Sequence, residues 1–182
     1  MASHSSAAVA HAGSNPFLRA VAALSTLAGW CSAAMIVAAV AITCQMIVIR
    51  FVLNGSTIWQ TEAVIYLIIS ATLVGLPYVQ RLRGHVNVDL IPLSLPARAR
   101  FVLALVTSLL SIAIVGVMVW YGYEYWHFAM ARGWTSDTVW AVRLWIPYLS
   151  IPVGFGLLLL QLVADFVALV TGVDKPFGLE DN

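Results

Sequence analysis

Hydropathy divides the chain into four long apolar runs separated by short polar breaks. The first run, from Ala20 to Ile49, opens after Arg19 and continues through Met46-Ile47-Val48-Ile49. A polar turn holding Asn54-Gly55-Ser56 separates it from a second run over about 58–80. The third run covers about 99–123 and the fourth about 144–170, where Gly172 is placed to end the helix. A helix needs about 20 apolar residues to cross the ~30 Å hydrocarbon core, and each run supplies them. The first run would reach about 45 Å, so its helix must tilt or project from the bilayer. Lipid satisfies no backbone group, so such runs can only be helices. The prediction is an all-α integral membrane protein with four transmembrane helices. Residues 1–19 are expected to form a disordered N-terminal tail and 173–182 a C-terminal one.

Composition agrees with this reading. Apolar residues make up 62% of the chain, charged residues 9%, and mean hydropathy is +0.93. A soluble domain needs about a quarter of its residues charged. The net charge of +1 points to no acidic partner, and no like-charge block suggests nucleic acid. The basic residue before the first run invites a signal-peptide reading, but the run is about twice the length of a signal core. An uncleaved signal-anchor is expected instead.

Charge distribution sets an orientation. Arg19, Arg81, Arg83, Arg98, Arg100 and Lys175 fall on one side of a four-span topology, and Arg50, Arg132 and Arg143 on the other. The positive-inside rule then makes both termini and the break between the second and third runs cytoplasmic. Trp59, Trp134, Trp140 and Trp145 would anchor the opposite face.

Candidate chemistry is sparse. Pumps and intramembrane enzymes need ionisable or metal-binding groups at membrane depth, and the middles of these runs hold none. Glu62 lies in the first turns of the second run, and Asp165 about two turns from the end of the fourth. Gln161 and Asp165, four apart, share a helix face; a carboxylate there is expected to form an intramembrane ion pair with Arg81, Arg83 or Arg19. A haem-binding cytochrome would need facing histidines, but His85 and His127 fall on opposite sides of the membrane. Cys31 and Cys44 are about 20 Å apart along one helix, beyond disulfide reach, and are expected to be small buried residues. No catalytic, metal-binding, substrate-binding or cofactor site is expected. Small residues recur every fourth position at Ser25-Gly29-Ala33, Ala71-Gly75 and Ser150-Gly154, a spacing that lets helices in lipid approach closely.

The polar break is the most distinctive segment. Arg81 and Arg83 stop the second run, Gly84 permits a turn, and Val86, Val88 and Leu90 alternate with His85, Asn87 and Asp89. Spacing alone describes an interfacial loop. Four segments carry a closer likeness: Trp59 with Glu62, then Gly75; Arg83-Gly84-His85-Val86-Asn87-Val88-Asp89-Leu90; Leu95-Pro96-Ala97-Arg98-Ala99-Arg100; and Ile146-Pro147-Tyr148-Leu149-Ser150-Ile151-Pro152-Val153-Gly154. Over about residues 20–172 the chain resembles the small membrane subunit of tripartite ATP-independent periplasmic (TRAP) transporters.

That resemblance implies a division of labour. A periplasmic solute-binding protein captures an organic acid or related small solute, and a large transmembrane permease subunit carries the sodium and substrate sites. The small subunit, with membrane lipids around it, would be a scaffold in a bacterial or archaeal inner membrane. Arg81, Arg83, Gly84, His85, Val86 and Asp89 would organise the cytoplasmic break, and Trp59 and Glu62 would make a polar contact near the periplasmic face. The rival expectation is a membrane-anchor subunit of a respiratory or redox complex.

Overall fold

The computed structural model describes residues 16–82 and 96–172. Arg83, Gly84, His85, Val86 and Asp89, most of the N-terminal tail and the C-terminal tail lie outside the described residues. Among the described residues five helices follow in order: α1 (Pro16–Phe51), α2 (Ile58–Arg81), α3 (Ala97–Ala131), α4 (Trp145–Tyr148) and α5 (Ser150–Val170). Four spans are long and apolar enough to cross a membrane, α4 and α5 acting as one of them.

Each of the four spans overlaps one of the apolar runs, and their ends differ for physical reasons. α1 begins one turn early, at Pro16. Proline suits a first turn because its missing N–H would lack an acceptor there, and Leu18 and Val21 bury themselves against Ala164 of α5. α3 runs two turns beyond its predicted end, to Ala131. Hydropathy marks where a helix leaves lipid, but the aromatic residues after Tyr123 pack on the loop that follows. α3 closes with a Schellman motif: Gly133, at φ 61°, donates to Met130 and Trp134 donates to Ala129. The Trp134 ring then meets Phe128, 6.1 Å between centroids, as the hydrophobic contact of that motif. Gly172, at φ 70°, ends α5 in the same left-handed conformation.

The division between α4 and α5 comes from two prolines. Pro152 has no N–H for the Tyr148 carbonyl, so the ladder lapses while Leu149 keeps helical angles (φ −57°, ψ −28°). Ser150 Oγ donates to the Pro147 carbonyl at 2.6 Å across this joint.

α1 packs mainly on α2, α2 on α5, and α5 on α3, with a smaller contact between α1 and α5. α5 is therefore the central helix. Small residues set these approaches. A Cβ on Gly154 would lie 2.6 Å from the Leu73 carbonyl oxygen of α2. That carbonyl has lost its helical donor, since residue 77 is proline. Hydrogen on the Gly154 Cα thus faces a bare acceptor, a weak C–H···O arrangement open only to glycine. A Cβ on Gly29 would meet the Tyr78 ring at 2.5 Å, and one on Gly75 would meet Ser32 Oγ at 2.8 Å. The predicted small-residue stripes therefore pack these helices against each other, with the exception of Ala33, which is exposed. Cys31 and Cys44 correct another expectation: both are free and exposed on α1. In lipid a thiol needs no burial, because the hydrocarbon outside is as apolar as the protein inside.

Candidate functional site

Polar side chains collect at the two ends of the spans, and the larger group ties three helices together. Gln161 and Asp165 sit one turn apart on α5, and the Gln161 amide donates to Asp165 Oδ1 at 2.7 Å. Gln80, in the last turn of α2, donates to Asp165 Oδ2 at 3.1 Å. On the other side of Gln161, Ser25 Oγ of α1 donates to Oε1 at 2.6 Å. Ser25 and Gln161 are both buried. The directions are mutually fixed: both carboxylate oxygens accept, so each glutamine must present its NH2, and the remaining Gln161 oxygen must take a hydroxyl proton. Arg81 adds a second tie to α1, donating to the Ala22 carbonyl at 3.0 Å and to Thr26 Oγ1. Buried polar groups are tolerated when every member is satisfied, and such a network fixes one relative placement of its helices.

The opposite end is aromatic. Trp59 at the head of α2 meets Trp140 edge-on, 6.2 Å between centroids. One turn on, Glu62 Oε2 accepts from Ser136 Oγ at 3.2 Å, and Ser136 also lies 3.1 Å from Thr138 Oγ1. Residues 132–144 form a hairpin held by Ser136 N–H to the Val142 carbonyl and Leu144 N–H to the Trp134 carbonyl, both 2.9 Å. Trp126 Nε1 donates to the Trp145 carbonyl at 3.1 Å, and Tyr125 packs on Tyr148 at 5.1 Å. The Arg132 guanidinium stacks 4.1 Å over Phe128. The hairpin is thus fastened to α2 and α3, and α3 in turn to α4. Gln60, next to Trp59, is almost fully buried with its Oε1 unpartnered among the described residues.

The structure brings Trp59 and Glu62 to one hairpin, and Asp165 to Gln161 as the spacing required. Trp134, Trp140 and Trp145 fall in the same aromatic layer. Sequence reasoning missed Gln80, Thr26, Ser136 and Gln60. Gln80 had the one available signal: an amide in the turn before Arg81, at the depth of Asp165. Among the described residues, no group of three or more His, Cys, Asp or Glu could hold a metal ion. What the two layers can do chemically is fasten helices and a loop.

Comparison with known proteins agrees with this picture. The family model described as "Tripartite ATP-independent periplasmic transporters, DctQ component" matches residues 39–172. A relative in Vibrio cholerae serotype O1, the C4-dicarboxylate TRAP transporter small permease protein DctQ, is 24% identical over 152 residues. That match covers 72% of this chain and 66% of the relative, so the chain spans just under two thirds of the relative's length. With a family model matching most of its length, the chain belongs to the DctQ component family of tripartite ATP-independent periplasmic transporters, a family of transporter subunits, and its four long apolar spans make it a multi-pass inner-membrane protein.

Proposed function

We propose that this subunit is a rigid scaffold for a large permease subunit in a sodium-coupled system that receives organic acids from a periplasmic solute-binding protein. The observation that carries the reading is how its polar groups are used. Ser25, Gln80, Arg81, Gln161 and Asp165 face one another across α1, α2 and α5, where a carrier would aim such groups at cargo. The outward faces are apolar along their length, with Trp30, Val37, Val40, Leu109 and Leu110 all more than half exposed. These suit contact with lipid and with another membrane protein. C4-dicarboxylates, named for the Vibrio relative, are the solute class in view.

In this reading both termini are cytoplasmic, and the hairpin of residues 132–144 faces the periplasm. Arg81, Arg83, Gly84, His85, Val86 and Asp89 organise the cytoplasmic break. Trp59 and Glu62 hold the periplasmic hairpin, and Asp165 pairs within the membrane without relaying protons. The test is solute uptake into proteoliposomes driven by an inwardly directed sodium gradient. Vesicles with both membrane subunits and the binding protein are expected to import, and those with this chain and the binding protein to stay inactive. Full-rate import by the large subunit without this chain would remove the scaffold role.

A further inference from the structure

An apolar groove of about 190 Å³ runs between α1 and α2, lined by the small Ala39, Thr43 and Cys44 and the branched Ile36, Val64 and Ile68. Its one hydroxyl is already satisfied, since Thr43 Oγ1 donates to the Ala39 carbonyl of its own helix at 2.8 Å. The groove therefore shows methyl, methylene and thiol surface. A solute with hydrogen-bonding groups would lose its solvation there and recover nothing. A hydrocarbon chain would lose nothing and gain close contacts.

The groove also has a depth and a charged end. Thr43 precedes Arg50 by seven residues, about 10 Å along the helix axis. Arg50 lies in the last turn of α1, next to the α1–α2 turn, where a membrane-crossing helix meets the headgroups, and the groove begins about 10 Å deeper on the same face. Ile36, Thr43 and Arg50 recur every seventh residue, two turns apart, and so share a face. Arg50 is exposed and has no hydrogen-bond or charge partner among the described residues. A guanidinium so placed is a strong donor to a phosphate diester.

We propose that this groove seats one acyl chain of a phospholipid whose phosphate is held by Arg50. The dimensions favour a lipid over a second helix. A helix is about 10 Å across and could insert only a side chain, whereas a flexible methylene chain can lie in the depression between Ile36 and Cys44 and run on along the same face of α1 to Arg50. Bound there, the lipid completes the surface of the α1–α2 pair and stabilises the pair by mass action. The proposal depends on the membrane-spanning fold and not on the scaffold role, so a transport result alone leaves it standing.

The experiment uses the full chain in vesicles doped with phosphatidylglycerol carrying a photoactivatable diazirine at mid-chain, with adducts mapped by peptide mass spectrometry. Expected adducts concentrate on residues 36–44 and 64–68, well above those on the exposed α3 face around Leu109 and Leu110. Cys44→Phe, which fills the groove from an exposed position, should reduce groove labelling to the level of that α3 face. Arg50→Gln should lower it by about fivefold, as expected for loss of one exposed charged contact. Leu27→Phe, on the exposed side of α1 turned away from the groove, should leave it unchanged. Groove labelling equal to that of α3, or unaffected by Cys44→Phe, would mean ordinary annular lipid and overturn the proposal. Labelling insensitive to Arg50→Gln would overturn the phosphate contact. Loss of groove labelling when the large subunit is co-reconstituted would show that protein occupies the groove, and would overturn it as well.

Discussion

At the scale of the residue, Asp165 shows how a charge is kept inside lipid. A carboxylate at that depth is stable only while its acceptor sites are filled, and Gln80 and Gln161 each fill one. Asp165→Asn can be absorbed by reversal of the Gln161 amide: the new NH2 donates to Gln161 Oε1, and Gln161 then donates to Ser25 Oγ. The cost is at least the loss of charge assistance, about 1 kcal/mol, whereas Asp165→Ala also strands both amides and should cost at least about 3 kcal/mol. Thermal unfolding of the detergent-solubilised chain measures both, and if the assembly is sodium-coupled as proposed, its ion-to-solute ratio should stay the same in the Asn variant. The i, i+4 spacing made Gln161 and Asp165 legible as a unit. Their partners were not legible, because hydropathy treats Gln80 as the edge of a span and Ser25 as a spacer between helices.

At the scale of the element, the sequence shows which helix faces are narrow but not what they meet. Ser150-Gly154 and Ala71-Gly75 announce close approach, yet the feature that matters at Gly154 is a carbonyl laid bare four residues before a proline on another helix. Gly154→Ala would put a methyl 2.6 Å from that oxygen, forcing α2 and α5 apart. Backbone cannot give way as a side-chain tip can, so the expected loss is about 1–3 kcal/mol. A lowered midpoint in sodium dodecyl sulfate titration is the readout, and Gly156→Ala, where a Cβ meets nothing within 4 Å, is the control expected to show no loss. Helix ends were the least legible feature. Polarity located the membrane surface, while α1 and α3 continue past it on side-chain contacts that no local pattern encodes.

At the scale of the whole molecule, four spans and their order along the chain could be read directly, since length and apolarity settle them. Their neighbours could not, because nothing in a run of Leu, Val and Ile says that α5 will stand between α2 and α3. Orientation rests on arginine distribution. A reporter active only in the periplasm should therefore be silent when fused after residue 182 and active when inserted at Asp137, with the reverse pattern for a reporter active only in the cytoplasm. Opposite results would invert the proposed topology.

The overhang of α3 has a mechanical consequence. This unbroken helix joins Arg98 and Arg100 at one end to the Schellman-closed hairpin at the other, a lever about 50 Å long. Bilayers of different thickness set different tilts for such a rod, and each ~5° of tilt swings its tip sideways by about 4 Å. Because Glu62 and Trp59 pin the same hairpin to α2, that swing is resisted by a brace, and the hairpin end holds its position when the surrounding lipid thins or thickens.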